Sequence, residues 1–556
     1  MITWSSDATR AKKAAQEAAI PTEWRIPFNK MPAQDVKDVT GYTTSCGILS
    51  EAELEIVQTE PGALLAKLAS GELNSLTVTT AFCKGAAVAH QLTNCLTEIL
   101  FDRALERAKE VDAAFVANGN KPIGILHGLP VSLKDQFQIQ GVECNMGIAS
   151  WIGYISEKDS VLVSILKEQG AVIHCRTNIS QALMFGESDN FVYGRTDNPH
   201  NRTLSCGGSS GGEGALVALH GSPLGVGTDL GGSVRIPSAY NGLYGLRPTL
   251  HRFPYAGARN TLLGLEGIQS ALGPITTSLA GISAFAQSVL AGEPWLRDPK
   301  SPEIPWRSEM ARLEGLKGKD GKLRKPVFGV MSWDNVVMPH PPMRRALAMT
   351  VGAVIKAGYE VIGFEPLDVE KADKLAIDLY NSDSGEDLRR TFAPSGEPFH
   401  PMLIVYDGTK PLSVYDSWQL NVAKDEYRQR FLEHWNATKE RTSTGLPIDG
   451  LILPPSVATA HRHGEWHFYI PYTSLFNLLD LPALVLPVGA KVDPVLDPVD
   501  SNFKPVSERD ARIQATYHPE LFANAPLTVQ IVGRRYREEE VIGMAELVEA
   551  ALRASK

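Results

Sequence analysis

Three short stretches of the chain carry the side chains best suited to chemistry. The first is L-H-G-L-P-V-S-L-K-D, residues 126–135. Its Val131–Leu133 core is a candidate buried strand, which puts Lys134 at or near a strand end. A lysine there has two readings. It is a surface cation paired with the adjacent Asp135, or a buried amine whose charged form is disfavoured by desolvation and which then serves as a base. Lys134 alone leaves both open. The second stretch is S-C-G-G-S-S-G-G-E-G, residues 205–214. Its glycines admit backbone conformations closed to other residues, and Ser209 and Ser210 stand just before a candidate helix start, where unpaired N–H groups favour developing negative charge. A flexible linker is the competing reading, although this string runs straight into a short helix and strand. The third is G-V-G-T-D-L-G-G-S-V-R-I-P, residues 225–237. Ser233 follows two glycines, so the N–H groups of Leu230, Gly231, Gly232 and Ser233 can converge on one point as an oxyanion hole. A phosphate-binding loop is disfavoured: the sixth position of G-x-G-x-x-G is Leu230, and the Gly-Lys-Ser/Thr of a P-loop is missing.

These stretches need rigid elements to hold them, and helix and strand signals alternate through most of the chain. Leu162, Ile165 and Leu166 share one face of a helix predicted over Asp159–Gln169, Gly170 ends it, and Ala171–Cys175 follows as a buried strand. The same order recurs at Arg344–Ala357, Gly358 and Tyr359–Phe364. Val327–Met331, Leu451–Leu453 and Ala483–Leu486 are further strand candidates, and Tyr536–Leu552 reads as a closing helix. Near the start, Asp7–Ala19 is rich in good helix formers, Ser50 with Glu53 forms a capping box, and Asn74 or Ser75 caps a helix running toward His90. The pattern predicts an α/β fold with helices covering a mostly buried sheet. Residues 1–75 are expected as a helical segment packed on the core, and residues 76–556 as one large α/β domain, since no break in composition divides them.

Composition narrows the function classes. The 556 residues carry 54 Lys and Arg against 63 Asp and Glu, a net charge of −9. An acidic chain without a basic run is a poor nucleic-acid binder. Six scattered cysteines with no C-x-x-C pair read as reduced thiols. The N-terminal stretch holds Asp7, Lys12, Lys13 and Glu17 and lacks the apolar run of a secretory signal. The longest apolar stretch, Leu478–Ala490, is broken by Asp480, Pro482 and Pro487, so no spanning segment is expected. The expected location is cytoplasmic.

Taken together, G-L-P-V-S-L-K-D, G-G-S-S-G-G-E-G and G-T-D-L-G-G-S-V-R-I-P, in that order, resemble the amidase signature family. S-C-G-I-L-S-E-A-E-L (45–54), Q-L-T-N-C (91–95), G-L-R-P (245–248) and A-P-L-T-V-Q-I-V-G-R-R (525–535) resemble its fungal acetamidase, or general amidase, branch. The likeness spans roughly residues 20–550. One departure is I-S-Q-A-L-M (179–184), where Ser180 stands at a position often held by proline in relatives. The resemblance implies a mixed, twisted central sheet flanked by helices. It implies a Ser–cis-Ser–Lys set in which Ser233 is the nucleophile, Ser209 the bridging serine and Lys134 the ultimate base. Leu230–Ser233 then supply the oxyanion hole, with Ser210, Asp229 and Arg235 in support and Met184, with Ser209, against the substrate. It implies hydrolysis of carboxylic acid amides through an acyl-enzyme, acetamidase-like, with no metal or cofactor, and it suggests a homodimer. The chemistry is coherent: serine is a weak nucleophile until a base takes its proton, and a neutral lysine acting through Ser209 does so and returns the proton to the departing amine.

Other readings compete. Fatty-acid, aryl or indoleacetamide amidases belong to the same family, and so does the glutamine-amidase subunit of an amidotransferase complex. G-x-S-x-G, centred on Ser209 or Ser210, also suits an α/β-hydrolase with a Ser–His–Asp triad, but residues 198–203 read as a loop where a nucleophile elbow needs a strand. His461, His463 and His467 form H-x-H-x-x-x-H, which lacks the helical H-E-x-x-H pattern of zinc hydrolases.

Overall fold

The computed structural model describes residues 4–406 and 408–555. Eleven strands form one sheet: β1 (Leu96–Ile99), β2 (Pro130–Lys134), β3 (Val172–Thr177), β4 (Leu224–Asp229), β5 (Tyr244–Arg247), β6 (Ala271–Thr276), β7 (Val327–Val330), β8 (Glu360–Gly363), β9 (Gly450–Leu453), β10 (Ala483–Lys491) and β11 (Pro526–Val532). Their order is β1-β3-β2-β4-β6-β5-β10-β11-β9-β7-β8. The sheet is mixed: β3, β2 and β4 run parallel, as do β9, β7 and β8, while the strands between pair antiparallel. Every residue of β2, β3 and β4 is buried, as expected where helices cover both faces.

The helices Gly211–Ala218 and Ser75–Thr93 lie against β2 and β3. Arg235–Tyr240, Pro341–Lys356 and Glu538–Ala554 pack on β10 and β11. In the N-terminal part, Glu51–Gln58 rests on Ser75–Thr93, and Pro61–Ser70 on Leu279–Ala291. The Ser50–Glu53 capping box forms, and Asn74 caps Ser75–Thr93 through the Thr77 N–H.

Element ends differ from the sequence reading for local reasons. The closing helix starts at Glu538 because Tyr536 takes a left-handed φ of 60°, outside helical space. β10 runs past Pro487 to Lys491: its pairing with β5 ends at Val485, so the missing proline N–H breaks no bond there. The strand at 131–133 extends by one residue each way, which makes Lys134 the last residue of β2. The strand expected after the short helix is β4, whose bounds the sequence left open because Gly225 and Gly227 interrupt its apolar run. Both positions are crowded: a Cβ would strike Glu213 Oε2 at the first and come within 2.7 Å of Ser210 Oγ at the second, so a larger residue would displace one of these side chains.

Candidate active site

Parallel pairing of β2 with β4 brings Lys134 beside Thr228 and Asp229. The Gly/Ser string crosses in front of these strand ends and enters the helix Gly211–Ala218, for which Ser210 is the N-cap. Lys134 Nζ therefore meets Ser209 Oγ at 2.7 Å and Thr228 Oγ1 at 2.9 Å. Lys134 is fully buried, which excludes the surface-cation reading. Burial pushes its amine down to about 7, against the pull of the Asp229 and Glu213 carboxyls. Burial likewise pushes Glu213 up to about 8, although Ser132 and Thr177 donate to it at 2.5 and 2.8 Å.

The turn holding Ser209 is clamped from behind. The Gly208–Ser209 peptide is cis. A Cβ on Gly208 would lie 2.7 Å from both the Glu187 N and Ser180 Oγ, so only glycine fits. Ser188 Oγ donates to the Gly207 carbonyl at 3.2 Å and accepts from the Gly211 N–H at 2.8 Å. Ser180 donates to the Phe185 and Glu187 carbonyls at 2.9 and 2.5 Å and so ties the 180–187 loop closed, a link that a proline there would lack. Ser210 bonds the Thr228 backbone at 3.4 Å.

The loop after β4 is organised by Asp229. Its carboxylate accepts from the Gly232 N–H at 2.8 Å, from the Arg235 guanidinium at 3.0 Å through two nitrogens, and from Asn477 at 2.8 Å. Burial alone would raise Asp229; Arg235 and Asn477 overcome that and hold it well below the usual carboxylate range. Two carbonyls of the loop are also pinned: Tyr380 donates to Leu230 O at 2.9 Å, and Thr473 to Gly231 O at 2.7 Å. Gly232 has a φ of +136° and packs on Thr473 where a Cβ would clash. The N–H groups of Leu230, Gly231 and Ser233 have no hydrogen-bond partner among the described residues. Of the four expected donors, the Gly232 N–H donates to the buried Asp229 carboxylate in this structure, and the other three are unpartnered among the described residues.

Ser233 is half-buried, and no hydrogen bond joins its hydroxyl to Ser209. The two serines line neighbouring cavities, Ser233 one of about 30 Å³ and Ser209 one of about 380 Å³. Leu183, Met184 and Leu230 belong to both and form the shared wall. Ala182 and Leu183, neither of them glycine, both adopt left-handed φ there, a conformation that clusters at functional sites.

The histidines stand elsewhere. His463 pairs with Glu187 through Nδ1 and contacts the Arg202 carbonyl through Nε2 at 3.0 Å. His461 is buried, which pushes it down to about 4, and the His467 Nδ1 accepts from the Tyr469 N–H at 3.2 Å. Among the described residues no group of three His, Cys, Asp or Glu is arranged to hold a metal ion. The stretch before Ser209 is turns and isolated bridges, with no strand leading into the serine as a nucleophile elbow requires.

Sequence reasoning missed several residues. Thr228 lay inside a quoted motif, one position before Asp229, and its hydroxyl was a readable signal. Thr473, Asn477 and Tyr380 arrive from distant helices with no local pattern to announce them.

A mixed sheet bearing a buried lysine–serine pair beside a second serine in an N–H-lined loop defines a hydrolase of the amidase signature class. The profile of the Amidase family matches residues 77–542. The chain is 42% identical over 539 residues to an acetamidase of Emericella nidulans, covering 97% of this chain and 96% of that protein. It is 40% identical over 560 residues to an amidase of Gibberella zeae, covering 100% of both. A solved fatty acid amide hydrolase superposes with a TM-score of 0.90 at 31% identity, over 98% of this chain and 94% of the other. The chain belongs to the amidase signature family.

Proposed function

We propose that this protein hydrolyses small carboxylic acid amides to acid and ammonia or amine, in the manner of an acetamidase, with Ser233 as nucleophile, Ser209 as proton relay and Lys134 as base. The observation that carries the reading is the fully buried Lys134 amine 2.7 Å from Ser209 Oγ. An ordinary lysine is protonated at neutral pH and accepts nothing; one held near 7 is neutral in about half the molecules there.

Ser233 Oγ attacks the amide carbon while its proton passes to Ser209 and the Ser209 proton to Lys134 Nζ. The tetrahedral oxyanion rests on the N–H groups of Leu230, Gly231 and Ser233, each such donor worth about 2.7–4 kcal/mol where one has been removed from a known enzyme. Collapse breaks the C–N bond, and the proton returns through Ser209 to the leaving nitrogen. Water then attacks the acyl-enzyme along the same route. Asp229 and Arg235 hold the donor loop in shape, so their contribution to the reaction runs through it. No cofactor enters any step. Similarity over nearly the full length to proteins named acetamidase favours a short acyl group over the fatty-acyl alternative.

We also propose a cytoplasmic setting, supported by six buried cysteines that are all free. No helix among the described residues is long and apolar enough to cross a membrane. The test of the main reading is ammonia release from acetamide by the purified chain and by Ser233→Ala. Hydrolysis by the former and none by the latter is expected; equal rates overturn the assignment.

A further inference from the structure

We propose that the site is built for secondary amides as well as primary ones, with an acetyl-sized acyl group and an aromatic or arylalkyl substituent on the nitrogen. This deepens the amide-hydrolase reading above and rests on it.

The argument starts from which side of a bound amide faces which serine. The carbonyl carbon must meet Ser233 Oγ, and the nitrogen must end beside Ser209 Oγ, its proton donor. The acyl substituent then occupies the cavity lined by Ser233 and the nitrogen substituent the cavity lined by Ser209. The first has about 30 Å³ and the second about 380 Å³. At roughly 10–15 Å³ per water, the acyl side takes only two or three water-sized groups. The amine side falls within the roughly 300–1,000 Å³ of ordinary ligand pockets.

The small cavity is small for reasons that resist adjustment. Phe185, Ile236, Tyr380, Ile404, Trp466 and Ile470 surround it. Tyr380 is tied to the Leu230 carbonyl at 2.9 Å, and the Ile404 N–H donates to the Met184 carbonyl at 3.0 Å. Phe185 stacks on His400 with centroids 4.6 Å apart and planes 8° from parallel. These links hold the wall residues in place, so the cavity widens only when one of their side chains is shortened. The large cavity has the opposite character. Tyr255, Ala258, Leu262, Leu265 and Ile268 give it apolar walls suited to a ring, and Glu266 and Lys300, paired at 2.8 Å, stand at its edge.

The reaction balances without a further reactant. The acyl–N bond of N-benzylacetamide breaks as the acyl–Oγ bond to Ser233 forms, and benzylamine leaves with the proton from Ser209. Water then supplies the hydroxyl of acetate and restores the serine proton.

The test uses the purified full chain and two isomers, N-benzylacetamide and hydrocinnamamide. They contain the same atoms and carry the ring on opposite sides of the amide. Acetamide is the reference. The expected result is a kcat/KM for N-benzylacetamide above that for hydrocinnamamide by roughly 10–200-fold, the range that one misplaced methylene commands in a tight pocket. Ala258→Phe should lower that ratio by filling the amine side. Ile404→Ala, and separately Trp466→Leu, should lower it by admitting the longer acyl group. Equal or reversed preference in the unmodified protein overturns the inference. Failure to cleave acetamide overturns the amide-hydrolase reading itself, whereas cleavage of acetamide without N-benzylacetamide overturns only the claim made here.

Discussion

Lys134 Nζ and Ser209 Oγ stand 2.7 Å apart across 75 residues of chain, with no part of the lysine in contact with solvent. A pH dependence follows. The amine is pushed by burial to about 7, and only its neutral form accepts a proton. Amide kcat/KM should therefore rise with pH through about 7 and level off above it. Lys134→Ala should remove most of the rate and flatten the rising limb. Lys134→Arg should restore nothing, because guanidinium stays charged. A rate profile of an active arginine variant matching the unmodified protein would leave Lys134 a structural cation.

The same burial has a stability consequence with a definite sign. The folded-state value is about 7 and the ordinary one 10.5, so the folded protein binds the proton less tightly than the unfolded chain. The penalty is fully present below about pH 7 and fades as pH rises toward 10.5. Lys134→Met, which keeps the stem and drops the charge, should unfold at higher temperature than the parent at pH 6, with the gap closing as pH rises. A lower midpoint at pH 6, or a gap that widens toward pH 10, would show that the amine is not penalised by burial.

Ser233→Ala should lose roughly 10⁶-fold in kcat, the scale seen when the nucleophile of a serine hydrolase is removed. The residue is half-buried and its hydroxyl holds no structural bond, so the thermal midpoint should stay within about 1 °C, as expected of a change near ±0.5 kcal/mol or less. Retained turnover would redirect attention to Ser209 or Ser210.

Asp229→Asn should destabilise by about 3–5 kcal/mol, because it strands a buried guanidinium. Asp229 and Arg235 are both fully shielded, at 0% exposure each. The variant should also lower kcat more than it raises KM, since Asp229 anchors Gly232 in the donor loop. Denaturant unfolding and steady-state kinetics check the two effects; an unchanged unfolding midpoint would mean that the pair carries no load.

Activity should survive exhaustive chelation. His461, His463 and His467 face Tyr240, Glu187 and one another, and every proposed step uses Lys134 and the serines. Loss of ammonia release on chelation, restored by zinc, would give these histidines a role in catalysis.

The order and wording of three motifs were enough to name the family and the fold class, and they single out Lys134, Ser209 and Ser233 as the proposed catalytic set. Such information is local: glycines mark where backbone must approach backbone, and a lysine after a run of buried-strand residues marks a strand end. The capping box at Ser50 and the cap at Asn74 were legible for the same reason, since each is satisfied within three residues. Whether Lys134 was a surface cation or a buried amine was not local, because burial depends on what β3, β4 and the helix Gly211–Ala218 place around it. The committed Gly232 N–H was equally hidden: a tetrad of donors looks uniform in sequence until a carboxylate folds back on one of them. Thr473 and Asn477, more than 230 residues downstream, close the same loop through bonds that no local pattern encodes. The unequal cavities beside the two serines are decided by Tyr380, Ile404 and Trp466 on one side and residues 255–268 on the other. The two cavities adjoin across Leu183, Met184 and Leu230 only because long-range packing brings these four separate segments around that wall, and volume is a property of that packing rather than of any stretch of chain.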